Sequence, residues 1–415
     1  DMVKLGRLLA EGKVNGTVAN PQGVLSWNLP EAEADIVGRV SGGGKVRLRD
    51  NLITLNDTSL RTSEAKVDIN GRANLATSNW NAAVNANSLA LNPFLAKIDN
   101  VGERIKGSSI FLRRADIKLA GSLNNFNPGS IRGNADLNLN VNRGNVAVNG
   151  NLNQGILTAN ANVGGLALNK IIPELPLAVT VANTKANISG KLNDLLEFES
   201  FDLAKLDSFR ASVDGNLILP EVKGRGRVDF NGNGNFATNN WNLVANANSL
   251  PISTLLSAEQ KKQFRLNKLN QPVTLQRGNV KLAGNLDIIN DFDLSRVNGN
   301  ANLNLAVNNG RVLVDGNLNR GILQANVNAN SIRANTFLPE LPLPVPVANT
   351  KVNLSGRVNQ LLEFESIERL DKLNSFQATA NGNLIIPGGK GNINFNANGN
   401  LGTNNLQAFA IANRI

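Results

Sequence analysis

Apolar and polar residues alternate through Gly133–Val163, GNADLNLNVNRGNVAVNGNLNQGILTANANV, and again through Gly299–Val327, GNANLNLAVNNGRVLVDGNLNRGILQANV. Ala135, Leu137, Leu139 and Val141 fall on one side of the alternation; Asp136, Asn138, Asn140 and Asn142 fall on the other. Strand side chains point to opposite faces with a period of two. Each run therefore predicts strands with one apolar and one amide-coated face, with Gly and Asn at the turns.

The same pattern extends over most of the chain. A strand pair, Lys66–Asn70 and Arg72–Leu75, leads to a strand in which Trp80, Ala82, Val84 and Ala86 share a face. A short non-strand insert follows, at Asn92–Lys106 and again at Ser253–Asn270, and LLSAEQKKQF at Leu255–Phe264 is composed of good helix formers. A second insert spans Phe198–Phe209 and Phe364–Phe376, where Phe364, Ile367, Leu370 and Leu373 recur at a spacing that fits one helix face docked on the sheet. The opening segment is less regular. Met2–Ala10 reads as a short helix or frayed end, Thr17–Leu25, Val37–Val40, Lys45–Arg49 and Leu52–Asn56 as short strands, and Gly42–Gly44 as a turn.

Internal repetition organises these elements. Trp80 matches Trp241, LAGSL at Leu119–Leu123 matches LAGNL at Leu282–Leu286, and PELPLAVTVANTK at Pro173–Lys185 matches PELPLPVPVANTK at Pro339–Lys351. LLEFES occurs at Leu195–Ser200 and Leu361–Ser366, and DGNLILP at Asp214–Pro220 matches NGNLIIP at Asn381–Pro387. The offset runs from 161 (Trp80 to Trp241) to 167 (Asp214 to Asn381). The organisation expected is the end of a preceding unit at 1–63, long repeats at 64–227 and 228–393, and the start of a third at 394–415. The chain reads as a piece of a longer protein.

Counting the runs gives roughly thirty strands, and at the usual spacing a single sheet of most of them is about 100–140 Å long. An open flat sheet of that length curls or splits, and its apolar face must be hidden from water. Either the sheet closes into a solenoid filled with Val, Leu and Ile, or it folds lengthwise into a trough whose apolar inside holds ligands.

Composition bears on that choice. The 415 residues are 41% hydrophobic but only 4% aromatic, with no Tyr, and Asn contributes 70. Few bulky rings suit thin, regular layers better than a thick core. Asn is uncommon inside strands, but stacked amides can hydrogen-bond in ladders. The net charge is +10, with Lys and Arg scattered rather than clustered with aromatics, so a nucleic-acid groove is not indicated. No run of eighteen apolar residues suggests a transmembrane helix.

Catalytic chemistry has little to work with. The chain lacks His, Cys and Tyr, so the common general bases, thiol nucleophiles and zinc ligands are missing, and no metal or cofactor is expected. Glu197 with Glu199, and Glu363 with Glu365, would share a strand face, but they recur with the structural repeat and read as solvated charges. SGGGK at Ser41–Lys45 has Arg39 where a phosphate loop needs Gly and Val46 where it needs Ser or Thr. Asn15, Asn187 and Asn353 head Asn-X-Ser/Thr triplets expected by chance at this Asn content. The chain is read as no enzyme.

GRANLATSNWN followed by AAVNANSLALNPFL, and GNGNFATNNWNLVANANSLPISTLL in the second copy, resemble the TamB and AsmA-like family, in which a Trp-containing strand leads to an apolar exit before a short insert. The Asn-rich idiom and the long copies are similar to its cyanobacterial branch and to the large TamB-like protein of the chloroplast inner envelope. The resemblance covers the chain from about Lys66 onward and rests on the order and repetition of loose motifs. It implies a mainly β fold: a long antiparallel-rich sheet folded lengthwise into an open trough, a β-taco, with short helical inserts. It implies a bridge-like lipid transfer protein of the periplasm or intermembrane space, anchored in an inner membrane. An Omp85-type outer-membrane partner would bind through regions outside this chain, and the roles implied are phospholipid movement or outer-membrane protein assembly.

On this reading the acyl chains of phospholipid or glycolipid lie on the apolar face. Its candidate lining is Ala135, Leu137, Leu139, Val141, Val146, Val148, Leu157 and Ala159, with Leu303, Leu305, Val307, Val312, Val314, Leu323, Val327, Val352 and Leu354 in the second copy. Trough lining and packed core demand the same alternation. The rival readings are a β-solenoid adhesin or passenger domain and a periplasmic spacer without a ligand. Solenoid rungs repeat every 20–30 residues or so, which the long period disfavours.

Overall fold

The computed structural model describes residues 3–5, 7–17, 20–34, 38–96, 107–170, 178–196, 206–219, 226–255, 261–262, 269, 273–286, 294–333, 346–362, 372–385, 391–403 and 405–413. The chain is mainly β, a long antiparallel sheet not closed into a barrel, with short helical inserts. It divides into two compact units: Asp1–Pro176 with Thr180–Val213 and Asn235–Thr238, and Leu177–Val179 with Asp214–Gly234 and Asn239–Ile415.

In the first unit β1 (Val3–Leu5) and β2 (Leu9–Thr17) both pair with β3 (Asn20–Ala34). A meander follows through β4 (Gly38–Arg49), β5 (Leu52–Arg61), β6 (Lys66–Asn74), β7 (Asn79–Ala90), β8 (Ile110–Ser122), β9 (Arg132–Val141), β10 (Gly144–Asn153) and β11 (Ile156–Gly164). Next, β11 and the short β12 (Leu166–Ala167) pair with β13 (Thr180–Lys191). Two further strands, β14 (Arg210–Leu219) and β15 (Gly226–Asn235), lie for the most part in the second unit.

The second unit repeats the plan. Its ladder runs through β16 (Asn240–Leu250), β17 (Thr274–Asn285), β18 (Val297–Val307), β19 (Gly310–Asn319) and β20 (Ile322–Asn330). Then β20 and β21 (Ile332–Arg333) pair with β22 (Pro346–Arg357), followed by β23 (Gln377–Ile385), β24 (Asn392–Asn400) and β25 (Asn405–Asn413). Sequential antiparallel neighbours rule out the parallel rungs of a β-helix.

Several local expectations are corrected. Met2–Ala10 contributes β1 and the start of β2 and holds no described helix. Lys66–Asn74 is one strand, not a pair: Asn70-Gly71 has the look of a hairpin turn, yet its pairing with Ala83 and Ala82 is unbroken. Gly42–Gly44 lies inside β4, where a bulge opposite Asn56–Ser59 brings Thr58 too close for a Cβ at Gly44. The turns that do form include two-residue loops with positive φ: Asp50-Asn51 (50° and 59°), Asn142-Arg143 (48° and 73°), Gln154-Gly155 (50° and 77°) and Arg320-Gly321 (46° and 78°). Those signs at both positions match the twist of the flanking strands. Of LLSAEQKKQF, Lys261 and Lys262 are helical, Leu255 ends a 3-10 turn, and the rest lies outside the described residues. Leu373 is 4% exposed; Phe364, Ile367 and Leu370 lie outside the described residues.

Bulges recur at matching strand positions. The register shifts between Leu112 and Arg114 and between Leu275 and Arg277, and Ser88 and Ser249 take φ of 59° and 53°. The extra residue lets Leu112 and Ala115, three apart, face the same side. Bulges also bend the strands that carry them. Beside them sit the two small buried clusters. One joins Ala86, Leu112 and Ala115; the other joins Leu219, Ala247, Leu250 and Leu275.

Gly133 and Gly299 mark a second point of close approach. A Cβ at either would strike the carbonyl oxygen of Lys118 or Lys281 on the neighbouring strand. Because the obstacle is main chain, Gly299→Val should destabilise the second unit by about 3 kcal/mol, the upper end for overpacking. Gly164, with nothing within 4 Å of an added Cβ, should accept Ala with a change below about 0.5 kcal/mol. Urea unfolding of both variants checks this.

Candidate functional site: an apolar sheet face

Directly paired residues of antiparallel strands project to the same side, so the register assigns every residue to a face. Leu137 pairs with Ala115 and Val148, Val148 with Ala161, and Ala161 with Ala186. Leu139 continues through Val146 to Val163, and Ala135 through Gly150 to Ala159. In the second unit Leu303 pairs with Val314, Val314 with Val327, and Val327 with Val352. Leu305 pairs with Val312, and Leu323 with Leu318 and Gly356. All eight lining candidates of the first unit share one face, as do all nine of the second. Trp80, Ala82, Val84 and Ala86 join the first set, paired with Gly121, Leu119, Ile117 and Ala115.

Burial shows what covers these faces. Of the seventeen, Val307 alone is buried, at 7% exposure; the other sixteen are half-buried. Neighbours on the same face shield them from the sides, and a second packed layer would have buried them. The accessible surface agrees: 25382 Å² for 44.2 kDa, against about 15,500 Å² for a compact monomer of that mass.

One end of each face is closed by an aromatic ring on a glycine. Phe209 sits on Gly190 and Phe376 on Gly356, at 1% and 2% exposure, and neither glycine could carry a Cβ beneath its ring. Trp80 covers Gly121 in the same manner, stacked on Phe126 at 6.3 Å. The composition suggested few rings; it did not show that they stand over glycines. The pairing was present in the sequence as SGK/SGR before each insert and SF at its end.

A polar latch holds each Phe in place. Behind the helical turn Leu192–Leu196, Asp194 accepts from the Ser208 amide (3.3 Å), and Ser208 Oγ accepts from the Lys191 amide (2.8 Å). In the second unit Gln360 Oε1 accepts from the Ser375 amide (3.1 Å) and hydroxyl (2.6 Å), and Ser375 Oγ accepts from the Arg357 amide (2.9 Å). The Ser208 hydroxyl, then its amide and the Lys191 ammonium, hold the Asp194 carboxyl below its ordinary 3.8. A depressed folded-state value contributes stability above the unfolded value, and that contribution is lost as pH falls through the folded one. Asp194→Asn should therefore be less stable than wild type at pH 7, with the gap closing below about pH 3.8. Gln360→Asn, which carries no charge, should show no such closure in parallel denaturation curves.

The opposite face is amide-coated. Asn279 donates to Asn246 (2.6 Å), Asn242 to Asn233 (2.7 Å), Asn353 to Thr379 (3.1 Å), and Asn149 to Asp136. These are side-chain ladders of the expected kind. Two equivalent recesses lie on this face. One, of about 760 Å³, is lined by the polar-face rows Asn242, Ala283, Asn298, Asn319 and Val244, Lys281, Asn300, Asn317, with Arg320 at the turn. The intervening Leu243, Leu282 and Leu318 point their side chains the other way, and with Gly299 they line it with main chain. The other, of about 680 Å³, repeats this arrangement around Lys118, Asn134 and Asn151.

Glu197, Glu199, Glu363 and Glu365 lie outside the described residues; the start of each LLEFES is helical, at Leu192–Leu196 and Asn359–Leu362, rather than extended. Among the described residues there is no cluster of three acidic side chains placed to hold a metal, and no helix is long and apolar enough to cross a membrane. No family model, no curated protein and no solved structure matches this chain.

Proposed function

We propose that the chain is a segment of a TamB/AsmA-like bridge-like lipid transfer protein. Its apolar faces shield or conduct the acyl chains of phospholipid or glycolipid between an inner and an outer membrane. The observation that carries this is the half-burial of sixteen of the seventeen lining residues. A wide apolar face left uncovered is costly in water and marks a binding surface. Covering it stabilises by roughly 25 cal/mol per Å². A lining of Leu, Val, Ile and Ala offers no polar anchor, so a chain held there can slide. The bulges at matching positions of the two units, which bend the strands that carry them, support a sheet curved lengthwise into a trough. The reading extends to a periplasmic or intermembrane-space location and to an Omp85-type partner reached through other regions, with a role in outer-membrane protein assembly. Native mass spectrometry of the purified chain, with lipid extraction, tests it. Co-purifying phospholipid or glycolipid is expected; a lipid-free chain that also fails to take up a fluorescent fatty acid would sink the proposal.

A further inference from the structure

The recess around Lys281 has features the apolar face does not explain. It lies on the other side of the sheet, so it stands independently of the lipid reading. Arg320 lines it and also lines an adjoining recess of about 460 Å³, which Arg357 shares. Three cations thus line two contiguous hollows, and neither lining includes an Asp or Glu. Elsewhere on this face amides are tied into ladders, as Asn279 is to Asn246. Within the recess Asn300 and Asn317, paired opposite each other, make no side-chain hydrogen bond among the described residues.

We infer that this recess binds a phosphorylated polyol. Lysine and arginine give charge-assisted hydrogen bonds to phosphate, and the fork of a guanidinium matches two of its oxygens. Carboxamides both donate and accept, which suits the hydroxyls of a sugar or inositol ring. The small side chain of Ala283, between Asn242 and Asn298, leaves room for the ring itself. The recess around Lys118 is the weaker of the two. Arg132 lines it, but Gln154 stands at the turn where the other has Arg320, and Lys118 lies 3.5 Å from the Asp116 carboxylate, which offsets its charge. The ligand can reach the protein as a free phosphopolyol or as the head group of a lipid.

Calorimetric titration of the full chain with inositol 1-phosphate, against inositol and inorganic phosphate, tests the inference. Inositol 1-phosphate is expected to bind at least about tenfold more tightly than either comparator, since each supplies half of the recognised chemistry. Lys281→Gln with Arg320→Gln should weaken it about tenfold or more while leaving the thermal unfolding curve unchanged; both side chains are exposed. Lys118→Gln should change it little. Equal binding of inorganic phosphate, or binding indifferent to the double variant, overturns the inference. Sedimentation with vesicles containing phosphatidylinositol, but not with phosphatidylcholine alone, and sensitive to the double variant, assigns the head-group source. Soluble binding without sedimentation assigns the free one.

Discussion

Phe376→Ala is expected to destabilise the second unit by about 3–5 kcal/mol, the usual cost of removing a fully buried ring. Phe376 is 2% exposed in a sheet whose apolar residues are mostly half-covered, so it holds a large share of what close packing exists. The ring lies on Gly356, and its main chain is tied down too: the Phe376 amide donates to Leu373 O (2.9 Å), and Phe376 O accepts from the Leu401 amide (2.9 Å). Removing the ring leaves a cavity over Gly356 that the rigid ladder on either side cannot close. The glycine supplies an internal control. Gly356→Ala alone should be destabilising, because the new methyl meets the ring. In the Phe376→Ala background the same change should be neutral or stabilising, because the methyl fills part of the cavity. A double-mutant cycle by urea denaturation reads this reversal of sign. Additive effects would show that ring and glycine do not form one packed unit. Phe209 and Gly190 should behave alike in the first unit.

The faces were legible because a period of two leaves little freedom. Once Leu137 and Leu139 face one way, a slip of one residue would put both on the amide side. Ladder pairing then carries the assignment from strand to strand, which is why all the lining candidates of each unit fall on one side. Three features were not legible, each for a physical reason. Asn70-Gly71 and Gly42–Gly44 have turn chemistry, but a glycine also serves where strands crowd, and composition does not separate the two uses. The bulges at Ser88 and Arg113 are single-residue insertions that break the period without any special residue type. The placement of Phe209 and Phe376 depends on contact between segments nearly twenty residues apart, Gly190 with Phe209 and Gly356 with Phe376, through inserts whose own pattern suggested a helix face. The amide face was read as a place for stacked ladders, which Asn279 with Asn246 and Asn242 with Asn233 form, whereas Asn300 and Asn317 beside Lys281 form none among the described residues.

Val314→Glu should abolish lipid co-purification while costing little stability, and the contrast between those readouts decides between lining and core. Leu305, in the neighbouring row, packs against the cluster of Leu219, Ala247, Leu250 and Leu275, so a charge there would confound the two. Val314 sits mid-row between Leu303 and Val327, half-buried and outside both buried clusters. On an open face its replacement by Glu leaves the carboxylate in water and removes one partly covered side chain, a loss of about 1 kcal/mol or less. In a packed core the same charge would be stranded without a partner, costing several kcal/mol and unfolding the unit. A lipid chain lying across the row would have to desolvate the carboxylate, so occupancy should fall at least about tenfold in native mass spectra. Val314→Gln, polar but uncharged, should lose less. Val148→Glu makes the same test in the first unit, where Val148 lies between Leu137 and Ala161. A Val314→Glu chain that unfolds, from a wild type that carries no lipid, would return the face to the role of a core. A stable, lipid-free variant of a lipid-bearing parent leaves the lining as the account that fits both measurements.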